Sequence, residues 1–173
     1  MADVKQNGDE AVKKYTLQFD KVELSSIQVS AAEIAEAEDT ISNELKAAIA
    51  LAKSNIEKFH SAQKEQSVVI ETQTGVKCWR KSVGIEKVGL YIPGGTAPLF
   101  STILMLGVPA KLAGCKEIIL TSPPSKDGKL HPAILYAAAL VGITKIFKVG
   151  GVQAIGAMAY GTATIPKVSK IFG

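Results

Sequence analysis

The chain has 173 residues, enough for one domain or two small ones. Hydrophobic residues make up 47% of it and charged residues 21%, proportions typical of a globular protein with its own core. The net charge is +4 and the lysines are dispersed, which argues against a nucleic-acid-binding arm. No apolar run has the length of a transmembrane helix or the form of a secretory signal. We therefore expect a cytoplasmic protein with no nucleic-acid or membrane partner.

Helical patterns fill the first 65 residues. Ser30 followed three residues later by Glu33 predicts a capping box at a helix start. The apolar residues of 41–63 keep the spacing of an amphipathic helix. In "GDEAVKKYTLQFD" the same spacing places several apolar side chains on one helical face: Ala11, Val12, Tyr15 and Phe19.

A change of period over residues 67–84 predicts a β-hairpin. Two short runs rich in β-formers, "SVVIETQ" and "VKCWRKSVG", lie on either side of Thr74-Gly75, a pair that favours a turn. The single tryptophan, Trp79, is expected to serve in packing.

From residue 87 onward, apolar strands alternate with helices. The predicted strands are "KVGLYIP", "KEIILTSP", "TKIFKVGG" and "KVSKIFG", and the helices between them are "TAPLFSTILMLGVPAKLAG", "PAILYAAALVG" and "VQAIGAMAYGT". Short, continuously apolar strands joined by helices indicate a parallel sheet covered on both faces. The expected fold class is α/β: residues 1–86 form a helical segment and hairpin, part of a first domain, and residues 87–173 form a Rossmann-like domain. The chain stops directly after a strand, so we expect that second domain to be incomplete.

Two glycine pairs follow predicted strands, Gly94-Gly95 and Gly150-Gly151. Ligands of doubly wound sheets bind beyond the carboxyl ends of the strands. Glycine lets backbone N–H groups approach an anion, and a helix N-terminus adds partial positive charge. The two loops could hold a dinucleotide together, although a tight strand-to-helix turn also explains both pairs. The GxGxxG and P-loop motifs are absent.

Candidate polar contacts lie beside these glycines. Tyr91 is the one polar-tipped side chain of its strand, with its hydroxyl either in the crevice or used in packing. Gln153, in the first turn of the following helix, either faces the same crevice or is solvated. Thr96, Ser101 and Thr102 are candidates for phosphate contacts, and helix capping explains Thr96 equally well.

Residues for acid–base or metal chemistry are scarce. His60 is expected in packing or at the surface, and His131 is expected to be solvated. Cys78 and Cys115 are expected to be reduced and mostly buried. No cluster has metal-ligand spacing, and no nucleophile has a base near it in sequence. From its residues alone, the chain offers a binding surface without catalytic groups.

Long motifs of the chain resemble the histidinol dehydrogenase family. They are "VGLYIPGGTAPLFSTILMLGVPAKLAGCKEIILTSPP", "PAILYAAALVGITKIFKVGGVQAIGAMAYGT" and "PKVSKIFG", preceded by "GDEAVKKYTLQFD" and "KSNIEKFHSAQ". The resemblance implies an NAD-dependent, zinc-containing, homodimeric enzyme that oxidises L-histidinol to L-histidine in two hydride transfers. It also implies that Tyr91 and Gln153 contact NAD.

The same resemblance implies that much of the enzyme is missing. The family's zinc ligands, its catalytic Glu–His pair and its substrate contacts belong beyond Gly173, where a GPGN motif with a third NAD contact would begin. We therefore expect an N-terminal or internal piece with no activity of its own. Two alternatives stay open: a non-catalytic α/β module that binds a nucleotide or phosphate, and a half-protein completed by association.

Overall fold

The structure is a computed structural model that describes residues 1–94 and 98–173. Three helices come first: α1 (Ala2–Tyr15), followed directly by a π-helical turn (Thr16–Asp20), then α2 (Ala31–Thr40) and α3 (Asn43–Ser61). The predicted capping box starts α2, since the Glu33 N–H donates to Ser30 Oγ and the Ser30 N–H donates to Glu33 Oε2. The predicted amphipathic helix is α3.

The hairpin and the parallel sheet both form as predicted. The hairpin is β1 (Ile70–Gln73) paired antiparallel with β2 (Val76–Cys78). The remaining elements are β3 (Lys87–Tyr91), α4 (Phe100–Leu112), β4 (Glu117–Ser122), α5 (Pro132–Val141), β5 (Lys145–Lys148), α6 (Gly151–Tyr160) and β6 (Lys170–Phe172). Their strands pair in parallel in the order β5-β4-β3-β6. The strand order therefore reverses at β3, which has β4 on one side and β6 on the other.

Helices cover both faces of this sheet, which is why the central residues of its strands are apolar. Alternate strand residues face alternate layers. Val88 and Leu90 join one core cluster with α4 and α5, to which α2 and α3 add Ala37 and Ile49. On the other face Ile119 and Phe147 pack with α1 and α6 in a second cluster. The helical first part and the α/β part therefore share their cores.

An extended segment before α2 covers the outer edge of β5. Gln28 forms an antiparallel bridge with Phe147. Two backbone hydrogen bonds accompany it, from the Lys148 N–H to the Ile27 carbonyl at 2.7 Å and from the Val29 N–H to the Ile146 carbonyl at 2.9 Å. Backbone groups of an edge strand need partners, and this segment supplies them. No local pattern in the sequence predicts this contact.

Three expectations about side chains are wrong. Phe19 is 60% exposed, because α1 ends at Tyr15 and the π-helical turn shifts the phase of the helical face. Trp79 is 61% exposed, since the whole hairpin lies at the surface. Cys78, in the same hairpin, is free but exposed rather than buried, while Cys115 is free and half-buried.

No helix within the described ranges is long and apolar enough to cross a membrane.

Candidate functional site

Three loops meet at the carboxyl ends of β3, β4 and β5, and Pro123 lies at their centre. A Cβ atom added to Gly94 would lie 2.5 Å from Pro123 Cγ. A Cβ atom added to Gly150 would lie 2.4 Å from Pro123 Cβ. Both distances are shorter than any real contact, so neither position accepts a side chain without movement. Close packing on Pro123 therefore explains the first glycine of each pair, which agrees with the alternative that both pairs serve tight strand-to-helix turns. Gly95 lies outside the described residues.

The second glycine of the later pair begins α6. Gly151 has a φ of +60°, a conformation that glycine adopts without strain, and its N–H donates to the Tyr91 hydroxyl at 3.2 Å. The predicted tyrosine therefore reaches across the end of β4 to the positive end of a helix. The Tyr91 ring packs against the second core cluster, and its hydroxyl lies at the start of α6, so the residue combines parts of both alternatives.

Gln153 is only 2% exposed, so a solvated side chain is excluded. Its Nε2 donates to Asp20 Oδ2 in a long hydrogen bond of 3.5 Å. Its Oε1 is buried and finds no hydrogen-bond partner among residues 1–94 and 98–173. A Cβ atom on Gly151 would lie 2.7 Å from this oxygen, so Oε1 sits beside the first residue of α6. Tyr91 and Gln153 thus meet at one helix N-terminus.

Asp20 is a member of this site that the sequence analysis missed. It is the last residue of the π-helical turn and is half-buried, and that burial raises the pKa of its carboxyl above the ordinary value. The contact with Gln153 spans 133 positions of the chain, so no local pattern predicts it. Only the packing of α1 against α6 brings the two side chains together.

Among the described residues, no hydrogen bond links the other candidates to Tyr91, Gly151 or Gln153. Ser101 and Thr102 occupy the first turn of α4, and neither hydroxyl forms a hydrogen bond with another described residue. Thr96 lies outside the described residues. The Nδ1 atom of His60 lies 2.8 Å from Gln63 Oε1, and Nδ1 of His131 accepts the Ala133 N–H at the start of α5. Both histidines therefore have local, structural partners.

Residues that could hold a metal ion are not brought together. The described part of the chain contains no group of three or more His, Cys, Asp or Glu side chains with that geometry. Residues 1–94 and 98–173 therefore offer no fitting site for the zinc ion, whose ligands the family resemblance places beyond Gly173. At the N-terminus of α6 the structure instead places a buried acceptor that has no partner among the described residues.

Comparisons with known proteins agree with the motifs. The family model for histidinol dehydrogenase matches residues 1–173. The histidinol dehydrogenase of Bacteroides fragilis (strain ATCC 25285) is 65% identical over 170 residues, which are 98% of this chain and 40% of that relative. The one from Escherichia coli (strain K12) is 54% identical over 170 residues, with coverages of 98% and 38%.

A solved structure has nearly the same backbone over the length of this chain. Histidinol dehydrogenase from Elizabethkingia anophelis matches with a TM-score of 0.97 and 57% sequence identity, over 99% of this chain and 40% of that one. The chain therefore spans about 40% of the length of the relatives it matches.

Proposed function

Because this chain belongs to the histidinol dehydrogenase family, we propose that it forms the NAD-binding part of an enzyme that oxidises L-histidinol to L-histidine. One observation carries the assignment of the site. The Tyr91 hydroxyl, the Gly151 N–H and the unpartnered Gln153 Oε1 converge at the N-terminus of α6. Residues 87–173 would be the nucleotide-binding domain, and residues 1–86 a part of the first domain.

The residues of this site have separable tasks toward NAD. Tyr91 joins the end of β3 to the start of α6 and keeps its own O–H free to donate. Gln153 presents a carbonyl oxygen that accepts hydrogen bonds. The N-terminus of α6 adds partial positive charge that favours the pyrophosphate. When bound, NAD supplies the hydride acceptor for both oxidation steps.

The chemistry of proton removal requires groups that these residues do not provide. Alcohol oxidation needs a base, and a metal helps to polarise the oxygen. Within the described residues no metal cluster forms, and both histidines have structural partners. The proposal is therefore that this chain alone does not turn over L-histidinol, and that the family's zinc, base and substrate contacts lie in other residues. A cytoplasmic homodimer, as the resemblance implies, is part of the same proposal.

Binding and turnover measurements test this function. Calorimetry with NAD and with ADP-ribose should show binding that Tyr91→Ala and Gln153→Ala each weaken. Tyr160→Ala, at the other end of α6 and 42% exposed, is the matched control and should leave binding unchanged. Unaltered affinity in both site variants would remove the site assignment. Steady oxidation of L-histidinol by this chain with NAD and zinc would contradict the proposal that the catalytic groups lie in other residues.

A non-catalytic nucleotide-binding module is the second candidate. It is favoured because the described residues bring no metal-binding cluster to a site with a buried, unpartnered acceptor at a helix N-terminus. Mixing the chain with the remaining part of a relative separates the two functions. Restored oxidation of L-histidinol supports the enzyme, whereas binding of NAD with no restored oxidation supports the module.

A further inference from the structure

The Gln153 amide turns its NH2 group toward Asp20. An ionised carboxylate has only acceptor atoms, so the amide must turn its NH2 group toward it. Nε2 does so at 3.5 Å. The reverse orientation would place the amide oxygen against a carboxylate oxygen. With Nε2 held, Oε1 can point only to the opposite side of the amide, where it lies beside Gly151.

The unpartnered state of this oxygen is costly. A buried acceptor without a hydrogen bond destabilises a protein by about 1–3 kcal/mol. The cost is recovered when a donor arrives, either from water or from a ligand. Oε1 lies at the N-terminus of α6, beside the residue that Tyr91 binds, so a small movement of the residues that cover it would let a ligand seated there reach it.

We propose that Asp20 is a positioning residue for the cofactor: it holds Gln153 Nε2, so that Oε1 is presented as the acceptor for a hydroxyl or amino donor of the dinucleotide. This inference rests on the proposed function, because it takes NAD to be the ligand of Gln153. Burial of Asp20 supports it, since a hydrogen bond away from water is electrostatically stronger.

A purely structural role for this hydrogen bond is less consistent with its surroundings. The interface between α1 and α6 is already apolar and buried, with Val4, Ala11 and Val12 packed near Ala154 and Ala157. One long hydrogen bond at its edge adds little to such packing. Its removal should therefore change ligand affinity more than it changes the free energy of unfolding.

The test measures NAD affinity of the full chain by calorimetry, with chemical unfolding as a parallel readout. Asp20→Ala should raise the Kd for NAD about fivefold, the equivalent of one hydrogen bond. Asp20→Asn should keep an affinity near that of the unaltered protein, since its amide oxygen can still accept from Nε2. Glu23→Ala, an exposed acidic residue three positions later, is the matched control and should change neither quantity.

A double-mutant cycle separates the possible outcomes. If Asp20 acts through Gln153, Asp20→Ala should have no further effect on affinity in the Gln153→Ala background. An equal loss in both backgrounds, or failure of Asp20→Asn to restore binding, would overturn the positioning role. Should Gln153→Ala weaken binding while Asp20→Ala does not, an ordered water or the backbone orients the amide, and the proposed function stands without Asp20. If neither Gln153 nor Tyr91 affects binding, the proposed site itself is wrong.

Discussion

The hydroxyl of Tyr91 accepts a hydrogen bond from the backbone N–H of Gly151 at 3.2 Å, and this bond joins the end of β3 to the start of α6. The two residues are 60 positions apart, and β4 lies between their strands. A free N–H at a helix start needs a partner, and a tyrosine from a different strand supplies it. The same bond fixes the position of the phenol hydroxyl, so one contact serves both the fold and the proposed NAD site.

Tyr91→Phe removes this hydroxyl and keeps the ring. Water can reach the released Gly151 N–H because the contact is exposed, so the free energy of unfolding should fall by less than about 1 kcal/mol. The free energy of NAD binding should change by more than the free energy of unfolding does, because the ligand loses its proposed contact with the hydroxyl. Urea unfolding and calorimetry measure the two effects. A large loss of stability with unchanged affinity would mark Tyr91 as a structural residue only.

Gly94→Ala and Gly150→Ala test the packing around Pro123. Each should destabilise the protein by about 1–3 kcal/mol, because the new methyl group meets the proline ring at 2.5 Å or 2.4 Å. Pro123→Ala removes Cγ, the atom that Gly94→Ala meets, and leaves Cβ, the atom that Gly150→Ala meets. In that background the cost of Gly94→Ala should fall and that of Gly150→Ala should persist. An unchanged cost of Gly94→Ala in that background would show that the proline ring is not its obstacle.

Glu33→Gln tests an ion pair that holds α2 to the sheet. Glu33 Oε1 lies 3.1 Å from Lys148 Nζ, and the Lys148 side chain is only 9% exposed. Burial pushes the pKa of Glu33 upward, but the hydrogen bonds from the Ser30 N–H and the Lys148 ammonium outweigh it, so the pKa lies below its ordinary value. At neutral pH the substitution should lower the free energy of unfolding by about 2 kcal/mol.

The acid dependence of that effect has a definite sign. Because the folded state lowers the pKa of Glu33, the unfolded state binds the proton first as the pH falls. The stabilisation from the ion pair is therefore complete above pH 4.5, the ordinary pKa of a glutamate, and is lost as the pH falls through the pKa of Glu33 in the folded protein. Unfolding curves of the unaltered protein and of Glu33→Gln should converge in acid. Glu36→Gln, on the same helix and 68% exposed, is the control and should stay close to the unaltered protein throughout.

The exposure of Trp79 predicts a spectroscopic result. Since it is the only tryptophan and is 61% exposed, its fluorescence should be that of an indole in water and should be quenched readily by iodide. Trp79→Phe should leave the free energy of unfolding within about 0.5 kcal/mol of the original value. A blue-shifted emission that resists quenching would show that the hairpin is covered in solution, for example by a second copy of the chain.

Local patterns predicted the elements because short-range physics decides them. Ser30 and Glu33 satisfy each other's backbone donors within one helical turn, so the capping box is visible in sequence. The apolar run of residues 118–120 follows from burial on both faces and predicts a strand of a parallel sheet. The prediction that Phe19 faces the core is wrong for a local reason too. Phe19 lies in a π-helical turn, whose period differs from the α-helical period on which the prediction rests.

By itself, the sequence determined the order of helices and strands, the parallel sheet, the family and two residues of the candidate site, Tyr91 and Gln153. Only the tertiary structure decided what those residues touch. The bond from Gly151 to Tyr91, the contact of Asp20 with Gln153 and the place of Pro123 between two glycines all join distant parts of the chain. Helix and strand periods act over a few residues, whereas these contacts form only when separate elements pack, so no local pattern records them.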